Sequence, residues 1–152
     1  PELQFLHPRC YLMQILESLY KQETEFLEAN FERLYATVKQ KIKQRSLLLL
    51  FTNFESLSGM RRVLPFLKGL SRQHLVLTIF FENTELHALI AKEKDDTEGI
   101  YMGTIAEKFA FEKRQIVREM QMNGVHALLT PPEHLSANTV NKYLEFKARG
   151  MI

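Results

Sequence analysis

Apolar and polar positions alternate along this chain between two periods. Leu12, Ile15, Leu16 and Leu19 recur at helical spacing, and so do Phe31, Leu34, Tyr35, Val38 and Ile42 after a polar break at residues 22–25. Two amphipathic helices are therefore predicted, preceded by a short strand-like piece at residues 3–6 that ends at His7 and Pro8. Residues 45–54 then form an apolar run bounded by Arg45 and closed by Thr52 and Asn53. This run reads as a strand buried on both faces, the kind that belongs to a parallel sheet flanked by helices.

The alternation continues to the end. Met60, Val63, Leu64, Leu67 and Leu70 make another helical stripe, with Ser58 and Gly59 marking its start and residues 71–73 its end. Residues 74–81 are β-branched and aromatic and predict a second buried strand, closed by Glu82, Asn83 and Thr84 with good N-cap candidates. Residues 92–96 read as a solvated loop. A long helix follows, with Ile105, Phe109, Ile116 and Met120 on one stripe, and it stops at Asn123-Gly124, the pair best able to adopt a left-handed cap. Residues 125–130 predict a third strand, stopped by Pro131 and Pro132. Ser136 is the expected cap of the last helix, along which Val140, Tyr143, Leu144 and Lys147 run to Gly150. Strands alternating with helices imply an α/β fold of three layers, a parallel sheet with helices on both faces and right-handed crossovers. No shift in composition or repeat divides residues 1–152, which read as a single domain.

Composition excludes more than it identifies. A formal charge of +2 gives no reason to expect nucleic acid, and no basic run is interleaved with aromatics. The longest apolar run, residues 47–51, is far too short to span a bilayer. A lone cysteine, Cys10, excludes an intrachain disulfide and fits a reducing compartment; at a helix start it reads as a core or surface thiol, since no motif makes it a nucleophile. The chain opens on Pro1 rather than Met, which reads as an excised segment of something longer.

Four segments carry a resemblance: RSLLLLFTNF at 45–54, FFENTEL at 80–86, IAEK at 105–108 and NTVNKYLEFKARG at 138–150. Together they resemble the von Willebrand factor A-like portion of domain-of-unknown-function family 58, over essentially the whole chain. The match falls on the back two-thirds of that domain, with its first strands missing. The resemblance implies a Rossmann-like A-type fold from a bacterial, membrane-anchored protein, with this part in the cytoplasm and a MoxR-type AAA ATPase as partner. It also implies a divalent cation held by an Asp-x-Ser-x-Ser loop, a Thr and an Asp at the carboxyl ends of the strands. Here the first motif is absent, Thr24 matches the second element, and Asn53 stands where the third has Asp.

The candidate site is accordingly a rim at the carboxyl ends of the strands, where open α/β sheets place their crevices. Its residues are Thr24, Glu25, Asn53, Glu55, Glu82, Asn83 and Thr130. Thr24, Asn53 and Glu82 are weak metal candidates, because replacing Asp by Asn removes an anionic oxygen from a site of hard ligands; no cofactor or metal is assigned. Plainer readings stand beside these. Asn53 hydrogen-bonds backbone at a strand-to-helix turn, and Glu82 is a solvated carboxylate ahead of a helix. Met60, Met120 and Met122 pack. Lys108, Lys113, Arg114 and Arg118 form a solvated basic face. His7, His74, His87, His126 and His134 have no metal-ligand spacing and are structural or surface residues.

Three function classes follow: a non-enzymatic interaction or adaptor module, a metal- or nucleotide-binding enzyme using the crevice, and a structural piece of a membrane-anchored assembly. The first leads, because no strand is followed by a glycine-rich phosphate loop and no nucleophile–base pair is evident. The missing first strand also implies an open edge beside residues 46–52, hence a homo-oligomer through that edge.

Overall fold

The computed structural model describes residues 8–21, 29–54, 56–84 and 97–152, with the backbone alone for 8–11, 97 and 98. Thr24, Glu25, Glu55, His7, His87, the strand-like piece at 3–6 and the loop at 92–96 lie outside the described residues, as does the Cys10 side chain.

Helix α1 (Pro8–Tyr20) opens on a proline, whose fixed φ suits a first turn. Its stripe of Leu12, Ile15, Leu16 and Leu19 is more than half exposed. Helix α2 (Phe31–Lys41) is capped by Asn30, whose side chain accepts the Arg33 N–H at 2.8 Å. Helix α3 (Leu57–Ser71) has two caps. Ser56 accepts the Gly59 N–H at 3.1 Å, and the Glu112 carboxylate, from another helix, accepts the Leu57 N–H at 2.8 Å. Both satisfy donors that a helix start leaves without an internal partner.

Strands β1 (Leu47–Phe51), β2 (Leu75–Phe81) and β3 (His126–Thr130) form one parallel sheet in the order β1-β2-β3. Leu49 pairs with Leu77 and Ile79 with Leu128, so β2 is the central strand and is buried over its first six residues. Its even positions, Val76 and Phe80, join α2, α3 and the long helix α4 (Thr97–Met122) in the larger core; its odd ones, Leu75, Leu77 and Ile79, pack with Phe146 of the last helix α5 (Leu135–Ala148). Helices therefore cover both faces, and Gly124, at φ +78°, ends α4 in the left-handed region as expected.

The expectation of full burial for residues 45–54 fails on one face. Leu48 and Leu50 join the larger core and Leu47 reaches the smaller one, but Leu49 and Phe51 are 41% and 56% exposed. An edge strand beside a helix that stacks over β2 and β3 is covered on that face only at its start.

Other differences are also matters of which side faces in. Phe109 is 45% exposed, whereas Ala106, Ile116 and Met120 of α4 are buried. Met122 is exposed whereas Met60 and Met120 are fully buried. Helix α5 starts after a 3-10 turn at Pro132–His134, so Ser136 lies inside it and caps nothing. Its buried residue is Phe146; Val140, Tyr143 and Leu144 are exposed. Lys142 is half-buried beside Phe146, its ammonium 5.5 Å from the ring centroid.

Candidate functional site

All three strands point the same way, so residues that follow them gather at one end of the sheet. Thr52 N–H donates to Ile79 C=O at 3.1 Å, and Glu82 N–H to Thr130 C=O at 3.0 Å. These bonds bring the ends of the strands level, and with them Asn53, Glu82, Asn83 and Thr130. Asn53 and Asn83 are exposed and Glu82 half-buried. Thr24, Glu25 and Glu55 are outside the described residues and are not placed.

The four placed residues differ in what they can offer. Thr130 is fully buried, its hydroxyl oxygen accepting from Asn138 Nδ2 at 2.8 Å and donating to Pro131 C=O at 3.2 Å. It ties β3 to α5 and presents nothing outward. The Asn53 side-chain oxygen accepts from the ammonium of Lys113, which also donates to Phe54 C=O at 2.6 Å. Lys113 is thus drawn out of the basic face expected for α4; Lys108, Arg114 and Arg118 remain exposed. The Asn53 bond is made with a side chain sixty residues on rather than with local backbone.

Phe54, buried next to this contact, lies between Phe31 at 5.7 Å and Phe80 at 5.6 Å between ring centroids. The aromatic chain locks the β1–α3 turn to α2 and to the central strand. Glu112 and Lys113, adjacent on α4, therefore grip the same turn from opposite chemistries, one capping α3 and the other binding the end of β1. Sequence reasoning missed both. Their only signal is that they lie four and three residues before the buried Ile116, on the flank of an inward stripe.

The cation implied by the resemblance can be tested against these residues. A divalent ion at the carboxyl ends needs several converging anionic oxygens. Among the described residues no group of three or more His, Cys, Asp or Glu side chains comes together. At Asn53 the neighbouring group is itself a cation. The described residues do not fit a divalent metal there.

Away from the rim, His126 is half-buried with its ring 4.8 Å from that of Phe146. Burial, and then the positive charge of Lys142, hold its pKa below the ordinary 6.5. His74 is buried at the start of β2 with neither ring nitrogen hydrogen-bonded, and His134 is exposed. No helix among the described residues is long and apolar enough to cross a membrane.

Comparison of the chain with known protein families, with curated proteins and with solved structures found no match.

Proposed function

We propose that the chain is a non-enzymatic interaction module, of von Willebrand factor A-like type, that engages a protein partner through the carboxyl rim. The observation that carries this reading is the Lys113 ammonium on Asn53 and Phe54. An internal cation holds the end of β1, so the rim keeps its shape without a bound ion. It also puts positive charge where a metal-directed site of this architecture would gather carboxylates, and no glycine-rich phosphate loop follows any of the three strands. Glu82 and Asn83 extend the polar surface beside it.

The resemblance makes a MoxR-type AAA ATPase the partner to test, on the cytoplasmic side of a membrane-anchored protein. The experiment is a pulldown of that ATPase from purified components with the chain as bait. Capture is expected with the unaltered chain and is expected to be lost with Glu82→Lys combined with Asn83→Arg. Equal capture by the rim variant, at unchanged circular dichroism, would end the reading.

A further inference from the structure

The open edge of β1 is the surface with the most specific geometry, and it is independent of the rim. Ser46 C=O accepts from Leu75 N–H at 2.9 Å, and Thr52 N–H donates to Ile79 C=O. In a parallel ladder one residue in two turns both backbone groups toward its neighbour, so residues 46, 48, 50 and 52 face β2. The N–H and C=O groups of Leu47, Leu49 and Phe51 therefore face the other way, where no strand lies among the described residues. None of the five residues of β1 is charged, Pro or Gly, so its own side chains give the edge no protection against pairing.

We propose that this edge pairs antiparallel with the β1 edge of a second copy, about a two-fold axis at Leu49. That register sets Leu49 against Leu49 of the other copy and Leu47 against Phe51. The three outward-facing residues are then the hydrogen-bonded type of antiparallel pair, each pair exchanging two bonds, so every edge group of β1 gains a partner. It also sets odd residues against odd. Leu49 and Phe51, 41% and 56% exposed, join the same residues of the other copy in one apolar strip on the face that α5 leaves open. Charge selects the direction. In-register parallel pairing would stack Arg45 on Arg45 and Lys43 on Lys43, both exposed, whereas the two-fold sends them to opposite ends of the paired strands. A closed two-fold contact of this kind is self-limiting at the dimer.

Light scattering on the 152-residue chain, over a hundredfold range of concentration, tests it. A dimer whose fraction rises with concentration is expected. Phe51→Lys, which leaves the ladder to β2 untouched, and Leu49→Pro, which removes an outward N–H and an outward side chain but no bond to β2, are both expected to be monomers with unchanged circular dichroism. Should Leu49→Pro fail to fold, Phe51→Lys decides alone. A chain that stays monomeric throughout, with the amides of Leu47, Leu49 and Phe51 protected from exchange, would show the edge covered by its own chain and overturn the proposal. So would a Phe51→Lys variant that dimerises as readily as the unaltered chain.

Discussion

Lys113 donates to the side-chain oxygen of Asn53 and, through the same ammonium, to the carbonyl of Phe54, so one residue of α4 closes the end of β1. A hydrogen bond from a charged donor to a partly buried carbonyl contributes about 1.5–3 kcal/mol. Lys113→Met is expected to lower unfolding stability by about that amount in urea titrations, because the Phe54 carbonyl loses its donor while the aromatic packing around it is unchanged. Lys113→Arg should recover part of the loss. A Lys113→Met variant as stable as the parent would mean that the ammonium is solvated rather than structural.

The same contact predicts that the chain has no tight site for Mg²⁺ or Mn²⁺. Isothermal calorimetry is expected to show no micromolar binding, since the neutral amide offers a divalent ion no anionic oxygen and the ammonium beside it repels one. Micromolar affinity in the unaltered chain would show that anionic oxygens converge on an ion despite the Lys113 ammonium at Asn53.

Packing between α2 and α3 rests on a missing side chain. A Cβ at Gly69 would lie 2.7 Å from Cε2 of Tyr35. Gly→Ala inside a helix normally gains about 1 kcal/mol, but overpacking costs about 1–3 kcal/mol. Gly69→Ala should therefore be destabilising on balance, and Gly69→Ala with Tyr35→Leu less so. The pair is read by thermal unfolding, and a more stable Gly69→Ala would show that the ring moves aside freely.

His126 is expected to make the fold less stable as pH falls. Its pKa is lowered by burial against Phe146 and by Lys142, with Arg149 acting the same way and Glu145 opposing them. The unfolded chain therefore takes up this proton more readily than the fold does. The contribution to stability is fully present above about pH 6.5 and is lost as pH falls through the lower folded value. Urea unfolding at pH 7.5 and 5.5 should show a smaller difference for His126→Gln than for the parent. An equal difference would exclude His126 as its source.

Much of the architecture is legible in the order of apolar residues. The three strands, the stripes of α2 and α3 and the stop at Gly124 follow from period and turn chemistry, since each depends on neighbours within a few positions. What is not legible depends on distant partners. Leu49 and Phe51 look as buried as Leu48 and Leu50 until β1 is known to be an edge. Phe109 fits the spacing of a stripe whose Ile116 and Met120 are buried, yet it faces outward, as does Met122. Lys113 reads as one more surface cation on α4 because its acceptors, Asn53 and Phe54, lie about sixty residues away. The rim follows from parallel topology, whereas Thr130's bond to Asn138 needs the start of α5, which the sequence sets at Ser136 and the structure at Leu135.

The central claim is that the carboxyl rim recognises a protein without a metal ion. Its most direct test is biolayer interferometry between the immobilised chain and a MoxR-type ATPase in nucleotide-free buffer, with EDTA and with Mg²⁺ in turn. The same affinity is expected in both buffers, lost in both with Glu82→Lys and Asn83→Arg. Binding that appears only with Mg²⁺, or that survives the rim substitutions, would contradict it.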